Sequence, residues 1–236
     1  SLISSEVFAD PNNVAKLIGT LFFRADDGVG GMELWRSDGT EAGTARVSDI
    51  NPGGAGSTPY PLAIANGSIF FAADDGVSGR ELWKSDGTGA GTARVRDISP
   101  GASGSISSGA TSFESFGVVG GTIFFAANNG ISGEELWRSD GTDAGTFMVR
   151  DISAGPAGSE PKQIKSVGGT LFFSADDGVS GRELWRSDGT GAGTIRIKDI
   201  NPGASGSVPP PGNLGSLVFP GTTPDYFEWN FAALGG

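Results

Sequence analysis

The apolar positions of this chain follow the two-residue alternation of β-strands, and the arrangement recurs about every fifty residues. In the unit at residues 162–200, four strands are predicted at 163–167, 170–175, 182–186 and 194–200. Glycine-containing turns separate these strands, and the apolar pattern nowhere takes a helical period. Each unit is therefore predicted to be a four-stranded antiparallel sheet.

Each unit carries the string Glu-Leu-Trp-(Arg/Lys)-Ser-Asp-Gly-Thr, preceded by a Phe-Phe pair. The repeated tryptophans, Trp35, Trp83, Trp137 and Trp185, are 48, 54 and 48 residues apart. A period near fifty residues is typical of closed or stacked repeat folds. Because four short strands and a Pro/Gly/Ser-rich connector describe one blade of a propeller, we expect an all-β chain with the β-propeller fold.

A fainter fifth unit is predicted in residues 213–231, where part of the second-strand pattern recurs before Trp229. Residues 2–7 read as an orphan strand that would complete this unit and tie the two chain ends together. We therefore expect one domain over residues 1–236, a five-bladed propeller of four-stranded blades; the alternative is a four-bladed ring with an appended tail. The predicted blades are residues 11–50, 61–98, 113–152, 162–200, and 213–231 with 2–7.

The composition argues against several classes of function. With 16 basic and 27 acidic residues, the net charge of −11 disfavours nucleic acid and anionic lipid as partners. The absence of cysteine and histidine removes thiol chemistry and the commonest general base. Neither a membrane span nor a signal-peptide pattern is present in the sequence. Because the acids recur in register and a catalytic site should be asymmetric, we expect no enzymatic activity.

The turn after the second predicted strand carries paired carboxylates or amides beside a glycine in every unit. Such oxygens are the ligands of calcium, which takes six to eight of them, so calcium is a candidate cofactor. The alternative is a plain β-turn, because the EF-hand spacing is absent and the third unit has Asn-Asn. The candidate metal ligands are Asp26, Asp27, Asp74, Asp75, Asn128, Asn129, Asp176 and Asp177.

A glutamate lies two residues before each repeated tryptophan, so both side chains are expected on one face of the strand. A carboxylate beside an indole suits a carbohydrate ligand. The alternatives are that the aromatic rings form the core between blades, and that the glutamate makes a salt bridge with Arg46, Arg94, Arg150 or Arg196. The candidate ligand-binding residues are Glu33, Trp35, Glu81, Trp83, Glu135, Trp137, Glu183 and Trp185.

The connectors at residues 51–61, 99–117 and 153–162 differ more than the strands do. The second connector is six residues longer than the others and carries Phe113 and Phe116. Residues that determine binding specificity usually lie in loops that the fold does not constrain. This insertion is therefore either a unique binding loop or the result of sequence drift.

The string ELWxSDGTxAGT followed by (V/I)xDI resembles the bacterial ELWxxDGT-repeat family of secreted and cell-surface proteins, over roughly residues 11–200. The resemblance implies a repeat fold and an extracellular or cell-surface setting, but no particular reaction. We expect a multivalent, lectin-like module that binds carbohydrate or a cell-surface glycan at repeated pockets between blades. The alternative is a calcium-stabilised structural or adhesion scaffold without a small-molecule ligand.

Overall fold

The computed structural model describes residues 15–17, 19–107, 116–203 and 206–207, which form sixteen strands in four antiparallel sheets. Each sheet takes four consecutive strands in chain order, so each predicted unit is one sheet. No described segment forms a helix long and apolar enough to cross a bilayer. The strands are β1 Ala15–Leu17, β2 Thr20–Asp26, β3 Met32–Ser37, β4 Ala45–Arg46, β5 Tyr60–Ala65, β6 Ser68–Asp74, β7 Arg80–Ser85, β8 Ala93–Arg96, β9 Phe116–Val119, β10 Thr122–Asn128, β11 Glu134–Ser139, β12 Phe147–Arg150, β13 Lys162–Val167, β14 Thr170–Asp176, β15 Arg182–Ser187 and β16 Ile195–Arg196.

The outer strand of the fourth sheet is shorter than the predicted strand 194–200, because β16 contains only Ile195–Arg196. One further backbone bond follows it, from the Ile197 N–H to the Leu184 carbonyl at 3.0 Å. The chain then bends away, and the N–H of Ile200 points to the side chain of Glu183 instead of to the strand. The connector therefore starts earlier than the alternation of apolar residues indicates.

The hydrophobic core lies between neighbouring sheets, because the two faces of each sheet pack against different neighbours. In every contact, one sheet contributes what we call its trailing face and the next sheet contributes its leading face. The trailing face of the first sheet is made by Phe22, Leu34, Val47 and Ile50. The leading face of the second sheet is made by Ile69, Phe71, Ala73 and Trp83.

The same two faces meet between the second and third sheets and between the third and fourth sheets. The first strands β1, β5, β9 and β13 contact one another in succession, as the inner strands of propeller blades do. This arrangement confirms the all-β, propeller-like part of the prediction. The predicted closing strand 2–7 and fifth unit 213–231 lie outside the described residues.

Candidate functional site

The repeated glutamates lie in the third strand of each sheet and bind the connector that leaves the same sheet. The Glu81 carboxylate accepts hydrogen bonds from the backbone N–H of Ile98 and of Ser99, both at 3.1 Å. It also accepts one from the Ser105 hydroxyl at 2.6 Å. Burial raises the pKa of Glu81, and these three donors oppose that rise. The carboxylate thus fastens the loop to the sheet.

The other three sheets repeat this contact with equivalent residues. In every case the serine hydroxyl comes from a residue 24 positions after the glutamate. All four glutamates have no exposed surface, so in this conformation their carboxylates are not open to a carbohydrate. The pairs are Glu33 with Ser57, Glu81 with Ser105, Glu135 with Ser159 and Glu183 with Ser207.

The expected salt bridge between glutamate and arginine is wrong. Arg46 pairs with Asp27 at 3.7 Å and with Asp49 at 3.2 Å, because the outer strand places its guanidinium above the acidic turn. The equivalent pairs in the second and fourth sheets are Arg94 with Asp75 and Asp97, and Arg196 with Asp177 and Asp199. Arg150, expected to be the third member, donates to the Thr194 carbonyl at 2.6 Å instead.

The residue equivalent to those arginines in the third sheet is Met148, which lies opposite Trp137 as Arg94 lies opposite Trp83. The third sheet also has Asn129 where the other sheets have the aspartate that pairs with the arginine. Both charges of this ion pair are therefore lost together in one unit. This joint loss indicates that the second aspartate of the turn serves the arginine.

The candidate metal ligands form Asx turns that use their oxygens internally. Asp26 Oδ1 accepts the N–H of Gly28 at 2.7 Å, and Asp27 Oδ1 accepts the N–H of Val29 and of Gly30. The Gly30 and Val29 donors, with Arg46, hold the pKa of Asp27 below its ordinary value of 3.8. Asn128 and Asn129 make the same bonds with neutral amide oxygens, so the turn itself requires an oxygen and no charge.

Among the described residues, no group of three or more acidic side chains is placed to hold a metal ion. Calcium therefore stays a prediction. The candidate ligands come together only in pairs, at the four separate turns: Asp26 with Asp27, Asp74 with Asp75, Asn128 with Asn129, and Asp176 with Asp177.

The Ser-Asp-Gly-Thr turn is also held by its own side chains. Asp86 Oδ1 accepts the N–H of Thr88 at 2.8 Å and its hydroxyl at 2.8 Å, which lowers the pKa of Asp86. The Thr88 hydroxyl oxygen accepts the N–H of Gly91, and a Cβ at Gly91 would collide with the Asp86 carboxylate. The Ser85 and Thr92 hydroxyls share a hydrogen bond of 2.7 Å. The turn is therefore structural.

The tryptophans expected beside the glutamates are core residues to different degrees. Trp137 and Trp185 are buried at 6 % and 5 % exposure, packed between sheets. Trp35 and Trp83 are half-buried, and the Nε1 atom of each is buried without a hydrogen-bond partner. Trp35 and Trp83 are therefore the only members of the Glu-x-Trp candidates, all within the described residues, that solvent reaches appreciably.

A group of positions that differ from unit to unit, near the start of the inner strands, is not among the site residues predicted from the sequence. Thr58 precedes β5, and its N–H donates to the Met32 carbonyl at 3.0 Å. Arg80, at the start of β7, donates to the Thr58 hydroxyl at 2.7 Å. The group consists of three positions, and each is occupied by a different set of residues in successive units. The three sets are Arg24, Ala72, Ala126 and Ser174; Met32, Arg80, Glu134 and Arg182; and Thr58, Ile106 and Glu160.

These variable positions form charged contacts in the third and fourth sheets. Arg182 pairs with Glu160 at 3.2 Å, and Lys162 pairs with Glu134 at 2.8 Å. Thr58 and Glu160 have left-handed backbone, with φ of 45° and 46°, which is uncommon for residues other than glycine. An alignment of the four units, position by position, is the signal that separates this group from the shared residues.

No family model and no curated protein matches the chain, so the resemblance to the ELWxxDGT-repeat family stays a prediction. Among solved structures, it is similar to part of a puromycin hydrolase (18 % identity, TM-score 0.46, 76 % of this chain and 28 % of that chain). It is also similar to part of a puromycin-hydrolyzing peptidase of Mycobacterium tuberculosis (12 %, 0.45, 78 % and 28 %). A third is the acylaminoacyl peptidase of Pyrococcus horikoshii (12 %, 0.44, 77 % and 26 %). The chain spans only about a quarter of the length of these peptidases.

Proposed function

We propose that this chain is a non-enzymatic binding module of β-propeller type. In this proposal, residues shared by all units build the scaffold, and residues that differ between units make the binding surface. The observation that carries it is the contrast between the two groups. The shared Glu81 and Asp86 accept hydrogen bonds from groups of the fold itself. By contrast, Arg24 and Thr58 differ from their equivalents and are exposed to solvent.

Carbohydrate is the ligand class that we propose, in an extracellular or cell-surface setting. The half-buried Trp35 and Trp83 support it, because a partly exposed aromatic side chain offers an apolar surface to a sugar ring, while the Nε1 atom of each is buried. The buried glutamates are not part of the proposed contact. Several weak sites on one scaffold would gain avidity of roughly 10²–10⁴ on a dense glycan surface.

A glycan array followed by calorimetry tests this function. Trp83→Phe keeps an aromatic ring in the core but replaces the half-buried indole by a smaller ring, so we expect weaker glycan binding. Trp185→Phe is the matched control, because that ring is buried and its change is expected to leave binding unaltered. If the folded chain binds neither neutral nor acidic glycans, the carbohydrate proposal is wrong.

The second candidate is the calcium-stabilised scaffold, favoured by the acidic turns that recur in three of the four sheets. It predicts that EDTA lowers the melting temperature and that added calcium restores it. Asp75→Asn is the informative variant, because it gives the second sheet the residue that the third sheet has at Asn129. A melting temperature that changes with neither EDTA nor calcium would exclude the metal in this role.

We also propose the five-bladed closure. Its support is the state of the two terminal faces of the described sheets. Leu21, on the leading face of the first sheet, is 40 % exposed, while its equivalents Ile69, Ile123 and Leu171 are buried. Ile197 and Ile200, on the trailing face of the fourth sheet, are 45 % and 58 % exposed, while Val47, Val95, Val149, Ile50, Ile98 and Ile152 are buried. A further blade between these faces would bury both.

A further inference from the structure

We infer that Arg24 and Arg80 form a binding site for an oxyanion, meaning a carboxylate or sulfate group, at the junction of the first and second sheets. The inference rests on the proposed binding function and names the chemical class of the ligand.

The first observation is that Arg80 lacks the neutralising partner of its equivalent. In the fourth sheet, Arg182 contacts Glu160, which lies 22 residues before it. In the second sheet, Arg80 contacts Thr58 at the same spacing of 22 residues. The two positions also share a backbone conformation, with φ of 45° and 46°. The glutamate that would cancel the charge is thus replaced by a neutral hydroxyl.

The second observation is that another arginine lies beside this uncancelled charge. Arg24 takes a position where two other units have alanine and one has serine. Burial lowers the pKa of Arg80, and Asp74 counteracts the effect while Arg24 lowers it further. Arg24 also acts electrostatically on Tyr60, the first residue of β5 and two residues after Thr58. Thr58 donates its N–H to the Met32 carbonyl, and Arg24 lies on β2 two residues from the residue that pairs with Met32, so both arginines belong to this end of the junction.

The third observation concerns charge. Neither arginine forms an ion pair with a described carboxylate, although the chain carries 27 acidic residues against 16 basic ones. The fold does not need two like charges at this junction, since the equivalent positions at the other two described junctions are Ala72 with Glu134 and Ala126 with Arg182. A guanidinium pair matches the paired oxygens of a carboxylate or sulfate.

The fourth observation is that a β-branched residue adopts the left-handed backbone at Thr58, where such residues are genuine outliers. Local strain of this kind is typical of ligand-binding positions. The Thr58 hydroxyl accepts from Arg80 Nη2 at 2.7 Å and so orients the guanidinium without neutralising it. Arg80 is half-buried, and Arg24 and Thr58 are exposed, so the site is open to solvent.

The test is an NMR titration that follows the Nε–Hε resonances of the arginines at constant ionic strength. The probes are sodium glucuronate, sodium sulfate and glucose. We expect saturable shifts of Arg24 and Arg80 with at least one of the two anions and none with glucose. Binding of glucuronate identifies an acidic sugar as the source of the oxyanion, whereas binding of sulfate alone identifies a sulfate group.

Two variants decide whether these residues make the site. Thr58→Glu copies the arrangement around Glu160 onto an equivalent backbone, and Arg24→Ala copies the residue of two other units. Each is expected to weaken anion binding roughly tenfold or more, since each removes or neutralises a charge-assisted hydrogen bond to the anion. Arg36→Ala, which removes an exposed arginine on β3, is expected to leave the affinity unchanged.

Unsaturable shifts, or equal affinity in wild type and Thr58→Glu, would overturn the oxyanion site. Melting curves of each variant confirm that the fold is retained. If neutral glycans bind on the array while neither anion does, this inference fails and the proposed function stands. If the anions bind at Arg24 and Arg80 while no glycan does, the oxyanion site stands and the carbohydrate proposal fails.

Discussion

At the scale of single residues, the four buried glutamates show how a charged side chain is accommodated inside a repeat fold. A buried carboxylate is costly unless hydrogen bonds replace its water, and Glu81 receives three of them. Removing such an acceptor leaves backbone N–H groups unsatisfied, which costs about 1–3 kcal/mol. The connector is therefore expected to depend on this one side chain.

Glu81→Gln tests that dependence. The amide keeps the shape of the side chain but offers one acceptor oxygen where the carboxylate offers two, so at least one donor is left unsatisfied. We expect the free energy of unfolding to fall by about 1–3 kcal/mol, measured by chemical denaturation. Glu41→Gln, at an exposed position in the turn between β3 and β4, should change it by less than about 0.5 kcal/mol. Equal effects of the two substitutions would contradict the fastening role.

Asp86 gives a prediction on pH. Hydrogen bonds from the Thr88 hydroxyl and N–H lower its pKa below the ordinary value of 3.8. A lowered folded-state pKa means that the contribution to stability is complete above 3.8 and is lost as the pH falls through the folded value. Asp86→Asn keeps the acceptor oxygen and removes the titration. Its unfolding free energy should therefore depend less on pH than that of the wild type between pH 4 and pH 2; equal slopes would refute the assignment.

At the scale of elements, each connector passes so close to the start of the third strand of the sheet it leaves that only glycine fits at the crossing. A Cβ at Gly104 would collide with the backbone of Arg80, and φ there is +66°. At Gly101 φ is +110°, but no atom lies within 4 Å of the added Cβ. The two positions share the need for positive φ and differ in the space around them.

Gly104→Ala and Gly101→Ala separate these two causes. Both should lose about 1–3 kcal/mol from the strained backbone, and Gly104→Ala should lose clearly more because the connector must move away from β7. Thermal or chemical unfolding of the two variants gives the comparison. If both lose the same free energy, the close approach of the connector is not what fixes the glycine.

Strand positions could be predicted from the alternation of apolar residues, because both faces of each sheet are buried against neighbours. The prediction 170–175 matches β14, Thr170–Asp176, and 182–186 matches β15, Arg182–Ser187. The end of the outer strand of the fourth sheet could not be predicted from its own residues, because the chain leaves the sheet where the Ile200 N–H bonds to the Glu183 side chain. The role of the glutamates was open to prediction from the serine that follows each by 24 residues.

The third arginine was assigned wrongly because methionine holds the position equivalent to Arg94, and the nearest arginine in the sequence is Arg150. Arg150 stands two residues after Met148, which holds the position equivalent to Arg94. Arg24 and Thr58 were not predicted at all, since a search for repeated motifs passes over residues that occur once. Physical contact between units, which brings Thr58 to Arg80, is absent from any single-unit pattern.

At the scale of the whole molecule, two faces of the described sheets lack the neighbour that their equivalents have. If residues 2–7 complete a fifth blade, deleting the first eight residues should remove burial worth about 25 cal/mol per Å² of apolar area. Several kcal/mol would be lost, comparable to the 5–15 kcal/mol stability of an ordinary domain. We expect the truncated chain to aggregate or to melt far below the full chain. Unchanged melting would exclude closure by this strand.

The bond between each glutamate and its serine also sets where one repeat should be cut from the next. A segment ending at Ile98, the last residue of the predicted second blade, would keep Glu81 and discard Ser105. A segment ending after Ser105 keeps the acceptor and all three of its donors in one piece. Anyone who assembles longer or shorter arrays from these units should place the splice points after Ser57, Ser105 and Ser159.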